Sequence, residues 1–258
     1  MDPAGALLDW FGREGRDLPW RRTRDPYAVL VAEVMLQQTQ VARVVARYEA
    51  WLERWPDEAA LAAAPLDEVL CAWVGLGYNR RAVRLREACA VVARDGWPAD
   101  HAGLLALPGV GPYTAAAVAC FAFEQPVLPV DTNVARVLER LGRPLAAPDS
   151  GRSWAFGQAV MELGATVCRA REAACGRCPV AAWCTSAHAV AIPDRAPAGT
   201  RVRFEDTDPW ARGRVVAALA AGEGLPAGIE AQRLARAVSG LVRDGLVVRT
   251  GTGIELAR

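Results

Sequence analysis

The chain of 258 residues contains no lysine: all 30 of its basic residues are arginine. Chemistry that needs a lysine side-chain amine, such as a Schiff base with a sugar, is therefore out of reach, and only the N-terminal amine remains for it. A charge excess is missing too. Thirty basic against 29 acidic residues leave a net charge of +1, so any binding of nucleic acid must rest on local geometry rather than on bulk electrostatics. No apolar run approaches the ~20 residues of a membrane span, and no apolar leader, internal repeat or low-complexity tract is visible. A cytoplasmic protein with no membrane partner is expected.

What is present is the composition of a globular protein, 52% apolar and 23% charged, with ample length for a buried core. Short amphipathic stretches punctuated by Pro and Gly run from residue 7 to about 164, with little of the alternation typical of strands. Asp25-Pro26 opens a predicted helix reaching about Gln38. Others are predicted over 41–55, 66–73, 81–94, 114–123, 133–141 and 154–163. Ala196-Pro197-Ala198-Gly199 reads as a linker. Beyond it, helices at about 208–221 and 230–244 precede β-like runs at 246–249 and 254–256, the pattern of a small winged-helix-like module.

Cys168, Cys175, Cys178 and Cys184 lie within seventeen residues as C-x6-C-x2-C-x5-C, with Pro179 directly after the third. Four thiolates this close can wrap one metal centre, either a zinc ion or an iron–sulfur cluster. Zinc sites more often combine two C-x2-C knuckles, and only Cys175 and Cys178 form one. Two disulfides are the remaining arrangement, although a cytosolic chain keeps its thiols reduced.

In Leu107-Pro108-Gly109-Val110-Gly111-Pro112-Tyr113-Thr114 a helix ends, a Gly-Val-Gly turn reverses the chain, and Pro112 opens the next helix. Such a helix-hairpin-helix presents unpaired N–H groups to a phosphate and grips a nucleic-acid backbone without reading sequence; an ordinary tight turn between helices has the same pattern. Asp131, twenty residues after Gly111, stands where it can cap the following helix or sit as a carboxylate at the mouth of a cleft.

The hairpin, the Gly/Pro-rich stretch ending in Asp131 and the cysteine spacing together resemble the endonuclease III superfamily of DNA base-excision glycosylases, over about residues 7–194. The resemblance implies a mainly α, two-lobed helix-hairpin-helix glycosylase fold. Residues 26–131 would form a six-helix domain, and 1–25 with 132–195 an iron–sulfur domain whose four cysteines hold a [4Fe-4S] cluster. The linker would be 196–200, and the C-terminal module 201–258.

Glu33 is a carboxylate in the apolar run 27–36, on one helical face with Gln37 and Gln40, where a solvent-facing stripe is the plainer alternative. Burial would raise its pKa, as a general acid near neutral pH requires. The string Glu33-Val34-Met35-Leu36-Gln37-Gln38-Thr39-Gln40, with Leu18-Pro19-Trp20 upstream and Gly75-Leu76-Gly77-Tyr78 downstream, resembles the A/G-mismatch adenine DNA glycosylases (MutY type). The missing lysine agrees. Where strand-cutting relatives place it after the hairpin, this chain has Tyr113.

The resemblance implies a monofunctional enzyme, bacterial and nucleoid-associated, acting as a monomer on duplex DNA with adenine opposite 8-oxoguanine or guanine. Glu33 would protonate the flipped adenine and Asp131 stabilise the oxocarbenium-like sugar, with Asn133 and Tyr113 orienting Asp131 or the sugar–phosphate. Base and DNA contacts fall to Trp20, Gln37, Gln38, Thr39, Tyr78, Leu107, Gly109, Val110 and Gly111. Arg80, Arg81, Arg84, Arg169, Arg171 and Arg177 are available to phosphates, and Arg212, Arg214 and Arg233 in the C-terminal module.

Two departures stand out. About sixty residues follow the linker, too few for the usual 8-oxoguanine-recognition domain, and no Phe-Ser-His loop is present; Asn79 replaces a second aromatic after Tyr78. The alternatives are a thymine/uracil mismatch glycosylase of the same superfamily, a non-catalytic iron–sulfur damage-binding protein, and a zinc-stabilised regulator.

Overall fold

The computed structural model describes residues 2–145, 151–190, 202–251 and 253–258. The described elements are helices α1 (Pro3–Glu14), α2 (Pro26–Leu36), α3 (Val41–Arg54), α4 (Glu58–Ala63), α5 (Leu66–Trp73), α6 (Arg80–Asp95), α7 (His101–Leu105), α8 (Pro112–Phe121), α9 (Thr132–Leu141), α10 (Ser153–Thr166), α11 (Asp208–Ala220) and α12 (Ala231–Arg243). Strands β1 (Val247–Thr250) and β2 (Gly253–Leu256) pair antiparallel, with Val247 opposite Leu256. The helical series agrees with the periodicity. The exceptions are α1 and α4, which lie outside the predicted helices although Asp2 and Asp57 cap their starts, and the end of α2, which stops at Leu36 rather than near Gln38. Gln38 adopts φ 55°, a left-handed conformation no α-helix accommodates. The expected linker lies outside the described residues.

The chain divides into two compact units. One comprises Met1–Leu30, Pro98–Ala106 and Val110–Pro197; the other comprises Val31–Trp97, Leu107–Gly109 and Ala198–Arg258. This grouping places 98–106 and 110–131 with the cysteine loop, and the C-terminal module with α3 to α6.

In the first unit α8 is buried at every position from Thr114 to Phe121, so it is apolar all round rather than amphipathic. Leu7 and Trp10 of α1, Val134, Val137 and Leu141 of α9, and Phe156, Val160 and Leu163 of α10 share one core. Gly164 lets α9 come close: a Cβ there would lie 2.9 Å from Asn133 Cβ.

In the second unit Trp73 and Trp55 pack edge-on against Trp51, with ring centroids 5.4 and 4.7 Å away. Leu66 and Leu70 of α5 share a core with Ala211 and Val215 of α11 and with Val238 and Leu241 of α12. The module after residue 201 is therefore docked on α5 through its own apolar face.

Candidate active site

Asp131 caps α9 with extended backbone, φ −90° and ψ −177°. Its Oδ1 accepts the backbone N–H groups of Asn133 and Val134 at 2.9 and 2.7 Å, and its Oδ2 accepts Asn133 Nδ2 at 2.9 Å. Capping and a fixed carboxylate are one arrangement here, since three donors set its orientation. Asn133 is held in turn, its Oδ1 accepting Arg136 Nη2 at 3.0 Å. The same Nη2 donates to the Gly164 carbonyl at 2.8 Å, and Arg136 Nε donates to the Cys168 carbonyl at 3.0 Å. One guanidinium thus joins the support of Asp131 to the first residue of the cysteine loop. Sequence reading missed Arg136; its only signal is helical spacing, three residues after Asn133.

One turn further along α9, Arg140 donates to the carbonyls of Arg169 and Ala170 at 2.7 and 2.9 Å, while its own carbonyl accepts Cys184 Sγ at 3.2 Å. Among the described residues no cysteine is joined in a disulfide. Cys168, Cys175, Cys178 and Cys184 line a single cavity with Arg140 and Val167. Burial, foremost, pushes the Cys178 thiol up to about 11; a hydrogen bond at Val180 opposes this, and the other three cysteines add to it. Among the described residues no set of three or more His, Cys, Asp or Glu side chains is placed to hold a metal ion.

Tyr113, in the first turn of α8, points its hydroxyl at Met161 Sδ, 3.9 Å away. The hairpin itself is built for backbone presentation. Gly109 has φ 73°, and a Cβ there would fall 2.5 Å from Arg84 Cβ. Gly111 caps α8 with Pro112 in its first turn. Leu107 and Val110 are buried, so what they can offer DNA is the N–H and C=O of the turn.

In the second unit Glu33 is 5% exposed, within a run from Tyr27 to Met35 that is buried throughout. The solvent-facing stripe is thus excluded at Glu33: Gln37 is half-buried, and Gln38 and Gln40 are exposed. Tyr78 is 59% exposed at φ 47°. Strained backbone of this kind costs about 1–3 kcal/mol and persists only where neighbours hold it. Arg81 holds it. Its guanidinium donates to the Val34, Leu76 and Gly77 carbonyls at 2.6, 2.9 and 3.0 Å, and to Thr39 Oγ1 at 3.4 Å. Burial lowers its pKa to about 10, and its charge is spent on carbonyls rather than on a phosphate. Arg84 pairs with Glu87, Arg169 with Glu172 and Arg177 with Glu14. Trp20 is buried at 6% exposure in the short turn Pro19–Arg21, which leaves little of its indole to meet DNA.

A Gly-Val-Gly hairpin that opens α8, followed by α9 capped by an aspartate held by three donors, is the arrangement of the helix-hairpin-helix class of DNA glycosylases. Residues 31–152 match the HhH-GPD superfamily of base excision DNA repair proteins. An adenine DNA glycosylase of Mycobacterium tuberculosis (strain H37Rv) is 45% identical over 277 residues, covering 96% of this chain and 90% of that protein. The chain belongs to the adenine DNA glycosylase family. Among solved structures it is similar to a thermostable thymine-DNA glycosylase (TM-score 0.66, 30% identity, 72% of this chain and 94% of that one). It is also similar to endonuclease III in a trapped covalent complex with DNA (TM-score 0.60, 26% identity, 72% and 93%). The chain is thus a base-excision repair glycosylase acting on adenine.

Proposed function

We propose that the enzyme hydrolyses the N-glycosidic bond of adenine mispaired with 8-oxoguanine or guanine in duplex DNA, and leaves the strand uncut. The observation that carries this reading is Glu33, a buried carboxylate in an apolar helix that runs out into Gln37, Gln38 and Thr39. The adenine is flipped from the stack, which is cheapest at a mispair. Glu33 protonates it at N7, turning a poor leaving group into a good one. Asp131, oriented by Asn133, stabilises the oxocarbenium-like sugar until water attacks. Tyr113 and the hairpin residues Leu107, Gly109, Val110 and Gly111 hold the sugar–phosphate, while Gln38 and Tyr78 fill the gap in the stack and probe the opposite base. No lysine exists to form a Schiff base.

Cys168, Cys175, Cys178 and Cys184, which line a common cavity, are the residues that would hold a [4Fe-4S] cluster. Such a cluster would tie the loop together as a charged node rather than take part in chemistry at the sugar. The module after residue 201, two helices and a β-hairpin, is winged-helix-like. A monomer working at the bacterial nucleoid completes the reading; no helix among the described residues is long and apolar enough to cross a membrane.

The similarity to a thymine-DNA glycosylase favours one second reading, excision of thymine or uracil opposite guanine. Single-turnover assays on duplexes with adenine opposite 8-oxoguanine, adenine opposite guanine, thymine opposite guanine, and uracil decide between them. Adenine release that is lost in Glu33→Gln and Asp131→Asn is expected. Thymine or uracil release without adenine release overturns the proposal, as does a borohydride-stable covalent adduct for its monofunctional part.

A further inference from the structure

Within the second unit, the turn at Tyr78 and the start of α11 border a groove of ≈ 340 Å³ whose lining includes Tyr78, Asn79, Arg80, Arg81, Arg212 and Gly213. That is within the range of small-ligand pockets, about 300–1,000 Å³. The C-terminal module forms one wall, held there by the apolar contact of α11 with Leu66 and Leu70. Asp244, which follows α12, bonds the Arg212 guanidinium and lies 3.7 Å from Arg80 Nη1. One carboxylate among three guanidinium groups leaves the groove cationic. The Arg80 side chain is 58% exposed, so that charge is available to a ligand. A Cβ built on Gly213 meets nothing within 4 Å, so the face of α11 toward the groove is open. An exposed ring, an amide, excess positive charge and bare helix backbone match a nucleotide unit better than a peptide or a neutral metabolite.

We infer that this groove takes a sugar–phosphate unit of the DNA strand opposite the adenine, with Arg80 and Arg212 facing the phosphate and Tyr78 against the sugar or base. The choice of strand rests on the proposed function, in which Tyr78 probes the base opposite adenine; the groove adjoins that same turn. The C-terminal module then acts as part of the DNA-binding surface and not only as a stabilising appendage.

The test uses the whole 258-residue chain and a duplex carrying a tetrahydrofuran abasic analogue opposite guanine, which cannot be turned over. Gly213→Glu adds a negative charge where a side chain has room, and helix propensity favours the replacement of Gly. The expected result is at least fivefold weaker binding than for Gly213→Gln, which has the same bulk without the charge. Gly213→Arg should bind several-fold more tightly than Gly213→Gln. Arg80→Gln should reduce the slope of log K against log salt by about one phosphate. A photo-crosslinker at position 213 should label the guanine-containing strand. Equal affinities of the Glu, Gln and Arg variants at matched melting temperatures overturn the inference, and so does labelling confined to the strand bearing the abasic analogue. Adenine release by the wild type is scored separately, so a failed function proposal shows as no release, whereas a failed groove shows as normal release with charge-insensitive binding.

Discussion

Arg136 Nη2 donates to Asn133 Oδ1 at 3.0 Å, which leaves the Asn133 amide nitrogen pointing at Asp131 Oδ2, 2.9 Å away. An amide can be built either way round, and the guanidinium, a donor only, decides it. Asn133 thereby becomes a donor to the carboxylate. The residue that enforces this is anchored on the Cys168 carbonyl, so the cysteine loop and the Asp131 carboxylate share a support.

Arg136→Gln should therefore slow adenine release by roughly tenfold or more, the cost of about 1.5 kcal/mol for one charge-assisted hydrogen bond. Single-turnover rates under saturating enzyme measure this. Unchanged rates would show that Asn133 holds its orientation without Arg136.

Asp131→Asn separates capping from catalysis. Asparagine caps a helix about as well as aspartate, so urea unfolding should shift by less than ~1 kcal/mol while adenine release disappears. A large loss of stability with residual activity would make Asp131 a cap alone.

Gly164→Val places side-chain carbon against Asn133, where even a Cβ lies 2.9 Å away. Overpacking of this sort costs about 1–3 kcal/mol, and displacement of Asn133 should lower activity at temperatures where the protein is still folded. Thermal melts alongside rates at a permissive temperature test both effects.

Arg81→Met keeps bulk but removes the donors that pin the Tyr78 turn to α2. A loss of about 2–4 kcal/mol is expected, the cost of leaving several buried carbonyls unpaired. Limited proteolysis should open new cuts at residues 36–40 and 75–79.

Glu162 has no exposed side-chain surface and pairs with Arg16 and Arg21 at 2.7 and 2.8 Å. Burial is the largest single influence and raises its pKa, but the hydrogen bonds and charges of the two arginines together outweigh it and leave the pKa below the ordinary 4.5. A depressed carboxylate pKa stabilises the fold above the unfolded value, and that stability is lost as pH falls through the folded value. Glu162→Gln should therefore melt well below wild type at pH 7, by up to about 3 kcal/mol given that Arg16 is partly solvated. The gap should narrow as pH drops below 4.5. A gap that stays constant to pH 3 would show that charge is not the source.

Whatever depends on residues near one another in the chain was settled by the amino-acid sequence. The cysteine spacing, the Gly-Val-Gly turn before Pro112, the cap at Asp131 and most helices follow from local backbone preference and period, and the absence of lysine leaves no lysine side-chain amine for Schiff-base chemistry. Tertiary structure decided which faces meet. Glu33 has the pattern of a solvated stripe until packing buries it at 5% exposure. Arg81 looks like a phosphate ligand until Val34 and Leu76, 47 and 5 residues away, present their carbonyls to it. Arg136 reaches Cys168 across 32 residues, and α11 packs on α5 across more than a hundred. These contacts depend on long-range burial of apolar surface, which no local period encodes.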